Sequence, residues 1–220
     1  MPETAPRVKV DGVRRYGGEV ILAGTTSVDR RQKAESEAAA RGLTMIPPFN
    51  DPWIIAGAGT CGLEILDQRP EVSAVYVPVG GGGLISGIAA AVRGRGSAAR
   101  VIGVEPSGAP KMSVSRAAGR PLRLERTASI ADGLVALQPG DLTFSHVQNL
   151  VDDIVTVDDD AIVAAVRWLH REARVVAEPS GAAAVAGVLQ SPSIAASTVA
   201  VISGGNVSAE SYATYISSSR

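Results

Sequence analysis

The sequence predicts an α/β fold in which helices are layered on a mostly parallel sheet. Short apolar runs alternate with segments of helical period along the 220 residues, and several of these runs end in glycine or small polar residues. Aromatic residues make up only 4% of the chain, as expected where helices and strands pack closely through small side chains. A hydrophobic content of 45% with 20% charged residues indicates a globular protein with one substantial core or two small domains.

Residues 1–50 are expected to form what remains of a small α/β domain. Residues 19–23 predict a strand, and a helix is expected from about Ser27 to Arg41. Ser27 can cap the first turn of this helix, and Gly42 suits its C-terminal turn. Residues 44–47 predict a second strand, and a loop rich in proline, up to Pro52, ends the unit.

Residues 51–220 are expected to form a large α/β domain. Strands are predicted at residues 74–79, 100–104, 154–157 and 199–202. Helices are predicted at 54–68, where three glycines should interrupt or delay the helix, at 84–92 and around 111–118. Two further helices are expected, one capped by Asp158 and running to about Arg174, and one opening at residues 178–181.

The composition excludes several classes of function. The net charge of -1 gives no basic footprint for a nucleic acid, and the apolar stretches are too short and interrupted for a membrane span. The single cysteine, Cys61, cannot form an internal disulfide, which predicts a cytoplasmic protein. Two histidines and one cysteine do not indicate a zinc site, so no metal ligands are assigned.

The strongest local motif is a run of four glycines between a predicted strand and a predicted helix. Glycine lets the backbone approach an anion closely, and a helix N-terminus offers free amide groups. The run therefore predicts a phosphate site, with a tight strand-to-helix turn as the alternative. The spacing matches neither a dinucleotide fingerprint nor a Walker loop, which disfavours a nucleotide-binding domain. The residues concerned are Gly80, Gly81, Gly82, Gly83 and Leu84.

A second motif follows the last predicted strand. Ser203 comes directly after that strand, where parallel-sheet proteins place their ligands, so its hydroxyl is a candidate ligand group. A capped turn is the alternative interpretation. A third cluster of glycines, at residues 57–62, indicates close backbone packing or ligand approach, and the neighbouring Cys61 is expected to be a packed small residue.

Taken in order, these motifs resemble the threonine dehydratase and serine racemase family of fold-type II pyridoxal-phosphate enzymes. The resemblance runs through almost the whole chain. It is carried by Pro2-Glu3-Thr4-Ala5-Pro6 with Lys9, Gly18-Glu19-Val20, residues 55–65, Pro78 to Leu84, Gly103-Val104-Glu105-Pro106, Ile130-Ala131-Asp132-Gly133, Leu150-Val151-Asp152-Asp153, Glu178-Pro179-Ser180-Gly181-Ala182 and Ser203-Gly204-Gly205-Asn206.

The resemblance implies a cofactor, pyridoxal 5'-phosphate, and roles for individual residues. Gly80 to Gly83 with Leu84 would hold the cofactor phosphate, and the Ser203 hydroxyl would face the pyridine nitrogen. The implied activity is that of a lyase of amino-acid metabolism, on the route to isoleucine in the threonine dehydratase branch. It would remove water from threonine or serine and give a 2-oxo acid and ammonia. The implied partners are the amino-acid substrate and further copies of the chain.

Three departures from the family pattern qualify this expectation. Ala58 stands where the family usually has glutamine. Some relatives bind a divalent cation through a glutamate, a backbone carbonyl and a second acid; Glu105 and Ala109 match, but Lys111 falls where the second acid would be. The family's front segment, with its Schiff-base lysine, has no counterpart among these residues, so the chain is expected to be truncated and no catalytic residue is assigned. A catalytically inactive fragment or pseudoenzyme with a phosphate loop is the alternative function.

Overall fold

The computed structural model describes residues 1–217, apart from the side chain of Ser27. Four parallel strands form one sheet in the order β3-β2-β1-β4 within this part of the chain. The strands are β1 (Ala74–Pro78), β2 (Arg100–Pro106), β3 (Asp153–Val157) and β4 (Thr198–Ala200). The α/β fold class and the parallel sheet predicted from the sequence are therefore confirmed.

Helices connect and cover the strands. They are α1 (Arg7–Arg15), α2 (Ser27–Arg41), α3 (Pro52–Gln68), α4 (Gly83–Gly94), α5 (Lys111–Ala118), α6 (Asp141–Leu150), α7 (Asp159–Trp168), α8 (Pro179–Leu189) and α9 (Ala209–Ser217). A short 3-10 helix spans Asp132–Leu134, and a π-helix continues α7 at Leu169–Ala173. None of the helices within residues 1–217 is both long and apolar enough to cross a membrane.

The central strand β1 is buried on both faces of the sheet. Because successive side chains of a strand point to opposite faces, β1 contributes to two separate cores. Tyr76 packs with residues of α7 and α8 on one face. Val75 and Val77 pack with residues of α4 and α6 on the other. Helices on both faces explain why β1 is a continuous apolar run in the sequence.

Two strands predicted in the first 50 residues are wrong. Residues 19–23 and 44–47 have no strand pairing in the structure. The backbone of the first segment bonds instead to the chain start: the Ala23 amide donates to the Met1 carbonyl, and the Met1 amine donates to the Ile21 carbonyl. A strand requires a neighbour along its length, and these few bonds do not supply one.

Three expectations about the helices also need correction. α3 is continuous through its glycines, because Gly59 and Gly62 face the backbone of α4 closely and α4 stabilises the helix by packing. The first turn of α2 is capped by Thr26, whose hydroxyl accepts from the Asp29 amide; the predicted cap, Ser27, has a side chain outside the described residues. The helix capped by Asp158 stops being α-helical at Trp168 and passes into the π-helix.

All strands of the described chain lie within residues 51–220, whereas residues 1–50 contribute α1 and α2. The division of the chain into a small and a large domain at residue 50 stays a prediction.

Candidate functional site

Two sequence motifs lie at the same edge of the sheet. β1 and β4 are adjacent and parallel, with Ala74, Val75 and Tyr76 opposite Thr198, Val199 and Ala200. The glycine run follows the carboxyl end of β1, and Ser203 follows the carboxyl end of β4. Ligands of open parallel sheets bind at this edge, so the fold puts both candidate motifs where a ligand site is expected.

The glycines of the loop are required by the close approach of other groups. Gly82 has a φ of +97°, a conformation that residues with a side chain rarely adopt. A Cβ atom at Gly81 would overlap the ring of Phe49, and one at Gly80 would lie 3.0 Å from the Gly133 carbonyl oxygen. Larger residues would therefore displace the loop from its neighbours, which explains the consecutive glycines better than a simple turn does.

The amide groups of the loop are available to a ligand. α4 begins at Gly83, and its N-cap, Gly82, has no side chain to satisfy the first turn. Within residues 1–217, no hydrogen bond is donated by the amides of Gly81, Gly82 or Gly83. Free amides at a helix N-terminus, together with the helix dipole, favour a bound anion. The loop thus fits the phosphate group that its sequence predicts.

Side chains from a neighbouring helix fix the loop. The Thr143 hydroxyl, at the start of α6, is 2.7 Å from the Gly81 carbonyl oxygen and donates to it. The start of α6 is in turn held by Asn50, whose side-chain oxygen accepts from the Leu142 amide at 3.0 Å. The segment that carries Phe49 and Asn50 is therefore fastened to the same helix as the glycine loop.

Ser203 is exposed on the loop that leaves β4. This loop rests on the N-terminus of α8, because the Glu178 amide donates to the Gly204 carbonyl oxygen at 3.1 Å. Gly181 is also confined there, since a Cβ atom would overlap the Gly204 carbonyl oxygen. The fold brings Ser203 to the correct edge of the sheet, and its contact with a cofactor ring stays a prediction.

All three lysines of the sequence are paired with carboxylates. The Lys9 ammonium lies 2.8 Å from Asp132 and 3.1 Å from Glu178, at the same edge as the glycine loop. Lys33 pairs with Glu37 on the surface of α2. Partial burial would lower the pKa of Lys9, but the hydrogen bonds and charges of its two carboxylate partners outweigh this and raise the pKa of Lys9.

Lys111 is the most unusual of the three lysines. Its side chain is fully buried, and its ammonium lies 3.3 Å from the carboxylate of Glu105, which is also fully buried. The ammonium also donates to the Val79 carbonyl at 2.6 Å and to the Leu134 carbonyl at 2.9 Å. Burial lowers the pKa of Lys111, and the charge of Glu105 opposes this shift.

Other titratable groups lie apart from this arrangement. Burial, with a contribution from the Glu64 charge, raises the pKa of the Cys61 thiol, so a thiolate nucleophile is disfavoured. His170 contacts the Tyr212 ring edge-on, with 5.8 Å between ring centroids. No group of three or more histidine, cysteine or acidic side chains suited to a metal ion occurs in the described part of the chain.

A surface cavity of about 460 Å³ lies at the opposite, amino end of the strands, near Leu66 and Ser73.

Sequence reasoning did not identify two residues whose side chains bond to the loop or to the backbone beside it. Thr143 gave no signal, because a threonine in the first turn of a helix is ordinary. Lys111 was noticed only as a departure from the family pattern; its full burial was unexpected, since lysine is rarely buried without a partner. Its spacing of six residues from Glu105, across the turn between β2 and α5, is the one feature that could have suggested an internal pair.

Comparison with known proteins identifies the family of the chain. Residues 1–205 match the family model described as "Pyridoxal-phosphate dependent enzyme". The chain is 42% identical to a biosynthetic L-threonine dehydratase of Pasteurella multocida over 86% of its length and 37% of the relative. It is also 42% identical to a serine racemase of Oryza sativa, covering 86% of this chain and 56% of that one. The chain thus spans about a third to a half of the curated relatives it matches.

A solved structure shows the same relation in three dimensions. The processed form of threonine deaminase isoform 2 from Solanum lycopersicum superposes with a TM-score of 0.90 at 38% identity. The match covers 98% of this chain and 60% of that one. The resemblance inferred from the sequence is confirmed: the chain belongs to the fold-type II family of pyridoxal-phosphate dependent enzymes, which includes threonine dehydratases and serine racemases and uses pyridoxal 5'-phosphate as its cofactor.

Proposed function

We propose that this chain binds the phosphate of pyridoxal 5'-phosphate through the amides of Gly80, Gly81, Gly82, Gly83 and Leu84. The observation that carries the proposal is the set of unpartnered glycine amides at the N-terminus of α4, held in a conformation that side chains would disrupt. A phosphate monoester is small enough to be bound mainly by such backbone groups. The absence of a nucleotide fingerprint in the loop favours it over a dinucleotide.

Ser203 is proposed to face the nitrogen of the cofactor ring. Support comes from its place after β4, next to the loop that follows β1. The hydroxyl is a neutral partner, so it would leave the ring nitrogen largely unprotonated, whereas a carboxylate would favour the protonated form. Ser203 would therefore moderate the electron demand on the ring, which suits loss of a β-hydroxyl group.

The proposed reaction, placed in the cytoplasm, is β-elimination of water from threonine or serine to give an enamine. A water molecule then hydrolyses the enamine, after its conversion to the imine, to a 2-oxo acid and ammonia. When bound, the cofactor supplies the electron sink for this chemistry. The glycine loop would fix the position of the cofactor, and Ser203 would set the protonation of its ring. Support for this class of reaction comes from relatives named threonine dehydratase and serine racemase.

The second candidate is a binding protein without catalytic activity. The observation that favours it is that each lysine amine is paired: Lys9 with two carboxylates, Lys33 with one, and Lys111 within the interior. Covalent attachment of the cofactor requires a neutral, accessible amine. If the chain acts as a lyase, a neutral, accessible amine has to reach the cofactor site.

Binding of the phosphate can be tested without the aldehyde chemistry. Isothermal titration calorimetry with pyridoxine 5'-phosphate, which has no aldehyde, measures the non-covalent site alone. Pyridoxine, which lacks the phosphate, is the matched control ligand. We expect the phosphate ester to bind at least about a hundredfold more tightly, since it alone can accept several charge-assisted amide hydrogen bonds. Equal affinity for the two ligands would contradict the proposed role of the loop.

A pair of variants locates the site. Gly82→Asp puts a carboxylate into the loop and should abolish binding of the phosphate ester by repulsion and by strain at the positive φ. Gly94→Asp makes the same change at the far end of α4, where a Cβ atom meets open space, and should bind normally. Circular dichroism establishes that both variants fold. Normal binding by a folded Gly82→Asp variant would show that the phosphate lies elsewhere.

Two assays then separate the candidate functions. Production of 2-oxo acid from threonine or serine, in the presence of pyridoxal phosphate, supports the lyase. Borohydride reduction followed by peptide mass spectrometry reports whether any lysine has joined the cofactor covalently. Binding of the phosphate ester with neither a covalent adduct nor 2-oxo acid supports the non-catalytic binder.

A further inference from the structure

The Lys111 ammonium is a buried cation with a complete set of partners. A lysine ammonium has three protons to donate. In this structure they are directed to the Val79 carbonyl, the Leu134 carbonyl and the Glu105 carboxylate, at 2.6, 2.9 and 3.3 Å. The side chain has no exposed surface, so solvent does not compete for these bonds. The arrangement is therefore that of a cation enclosed by oxygen atoms.

Glu105 is held independently of the lysine. Its carboxylate accepts from the Met112 amide at 3.0 Å, and from the Ser113 amide and hydroxyl at 2.8 and 2.6 Å. These donors lie in the first turn of α5, the favourable end of the helix dipole for a negative charge. These bonds would consequently hold the carboxylate in place if the ammonium were removed.

Stability alone is a weak explanation for this pair. Transfer of two charges into the interior costs about as much as their attraction returns, and well-packed apolar residues often stabilise a protein equally well. Lys111 must also fold its four methylene groups into the core beside Met112 without exposing the amine. Because burial of Lys111 is costly, we look for its role in the backbone groups that its ammonium contacts.

One of its carbonyl partners lies in the backbone segment that enters the glycine loop, and the other lies in a segment that packs against the loop. Val79 is the residue immediately before the first glycine of the loop. Leu134 follows Gly133, whose carbonyl oxygen would lie 3.0 Å from a Cβ atom on Gly80. The ammonium therefore joins the strand exit to the segment that packs on the loop. Without it, two carbonyl oxygens and a carboxylate would converge on one buried point and repel each other.

We propose that Lys111 is a built-in cation that positions the glycine loop for phosphate binding. The inference rests on the proposed function of the loop and deepens it, since it assigns the loop's conformation to a residue that does not touch the phosphate. Lys111 is a positioning residue: it acts through the carbonyl groups of Val79 and Leu134. The cavity left by a shorter side chain would keep its oxygen lining and would suit a monovalent cation such as potassium or ammonium.

Two substitutions distinguish a positioning cation from a packing residue. Lys111→Met keeps most of the volume and removes the charge, whereas Lys111→Ala removes both and opens the cavity. Binding of pyridoxine 5'-phosphate is measured by calorimetry for each variant, first with tetramethylammonium as the only cation and then with potassium or ammonium. This ligand forms no imine with ammonium, so the added cation acts on the protein alone.

Both variants should bind the phosphate ester about tenfold or more weakly than the wild type in tetramethylammonium, the effect of losing a charge-assisted hydrogen bond. Potassium or ammonium should restore the affinity of Lys111→Ala and leave Lys111→Met weak, because the methionine fills the cavity. Val166→Ala, which opens a cavity at a fully buried position of α7, controls for general destabilisation and should bind normally in either salt.

The outcomes are distinguishable from failure of the proposed function. If the wild type does not bind the phosphate ester, the assignment of the loop itself is wrong. If the wild type binds and Lys111→Met binds within twofold of it, the loop does not depend on the ammonium and the inference is overturned. Absence of cation rescue in Lys111→Ala, or equal rescue of Val166→Ala, overturns it as well. Should Lys111→Met fail to fold, the two salts compared on Lys111→Ala decide the question.

Discussion

Thr143→Val is the most informative single substitution near the loop, because it removes one hydroxyl and little volume. The Thr143 hydroxyl has one proton, and its shortest acceptor is the Gly81 carbonyl at 2.7 Å. The hydroxyl oxygen of Thr143 in turn accepts from the Gly140 amide at 3.1 Å. After substitution the Gly140 amide retains only a long contact of 3.5 Å with the Gly81 carbonyl. The substitution therefore weakens the hydrogen bonding of one buried acceptor, the Gly81 carbonyl, and one buried donor, the Gly140 amide.

The expected cost follows from these two groups. A buried polar group left without a partner destabilises a protein by about 1–3 kcal/mol. The residual 3.5 Å contact offsets part of this, so we expect a loss of about 1–3 kcal/mol for the pair. For a chain of this size, each kcal/mol lowers the Tm by about 2–4 °C, which predicts a decrease of about 2–12 °C. The loop should also bind pyridoxine 5'-phosphate more weakly.

Urea denaturation and calorimetry measure the two effects. Thr143→Ser is the matched control, since it keeps the hydroxyl and loses the methyl group. It should retain the phosphate affinity that Thr143→Val loses. If Thr143→Val is as stable as the wild type and binds equally well, the hydroxyl does not hold the loop. If the serine variant is impaired as much as the valine variant, the methyl group and not the hydrogen bond is responsible.

Three further predictions test other parts of the structure. Gly87→Ala should destabilise the chain by about 1–3 kcal/mol in urea denaturation, because a Cβ atom there would overlap the backbone of α3, whereas Gly94→Ala at the exposed end of the same helix should be neutral or stabilising. Asp152→Ala should cost about 1–2 kcal/mol in the same assay, since one carboxylate oxygen accepts from both the Arg93 guanidinium and a strand amide at 2.6 Å; Asp152→Asn should recover part of the loss. Because the pKa of Lys9 is raised, its stabilising ion pairs are fully present below about pH 10.5 and are lost as the pH rises through the folded-state pKa. The stability difference between wild type and Lys9→Met should therefore be constant at neutral pH and shrink only above pH 10.5. A difference that disappears near neutral pH would contradict the sign of the shift.

The sheet could be predicted from the sequence because its strands are buried on both faces. Residues 74–78 are a continuous apolar run that ends in glycines, a pattern with few alternatives. Residues 19–23 have a similar apolar composition but no neighbouring strand. Local composition indicates a preference for extended backbone. Whether the segment forms a strand depends on the presence of an adjacent strand to pair with. The prediction therefore succeeded where the fold supplies neighbours and was wrong where the described chain does not.

Glycine gave the opposite difficulty in α3. Isolated glycines weaken a helix by about 1 kcal/mol each relative to alanine, so an interrupted helix was the reasonable expectation. In the structure, Gly59 and Gly62 let α3 approach α4 closely, and the contact compensates for the backbone entropy. Such compensation depends on the partner helix, which residues 54–68 do not reveal by themselves.

The position of the candidate site was accessible from the sequence, whereas its internal support was not. Glycines after one strand and Ser203 after another meet at one edge because parallel strands share their direction. Lys111 bonds to the strand end before the loop and Thr143 bonds to the loop itself, from separate helices, and no spacing rule connects either residue to it. Side chains that act on a site through its backbone leave little trace in a single sequence.

Amide chemical shifts report directly on phosphate binding at the glycine loop. In a ¹⁵N-labelled sample titrated with pyridoxine 5'-phosphate, we expect the amides of Gly81, Gly82 and Gly83 to shift downfield as hydrogen bonds to phosphate form. These shifts should saturate at the affinity measured by calorimetry and be absent with pyridoxine. If the phosphate ester binds while these amides stay unchanged, and shifts appear instead around the distant cavity near Leu66 and Ser73, the glycine loop is not the phosphate site.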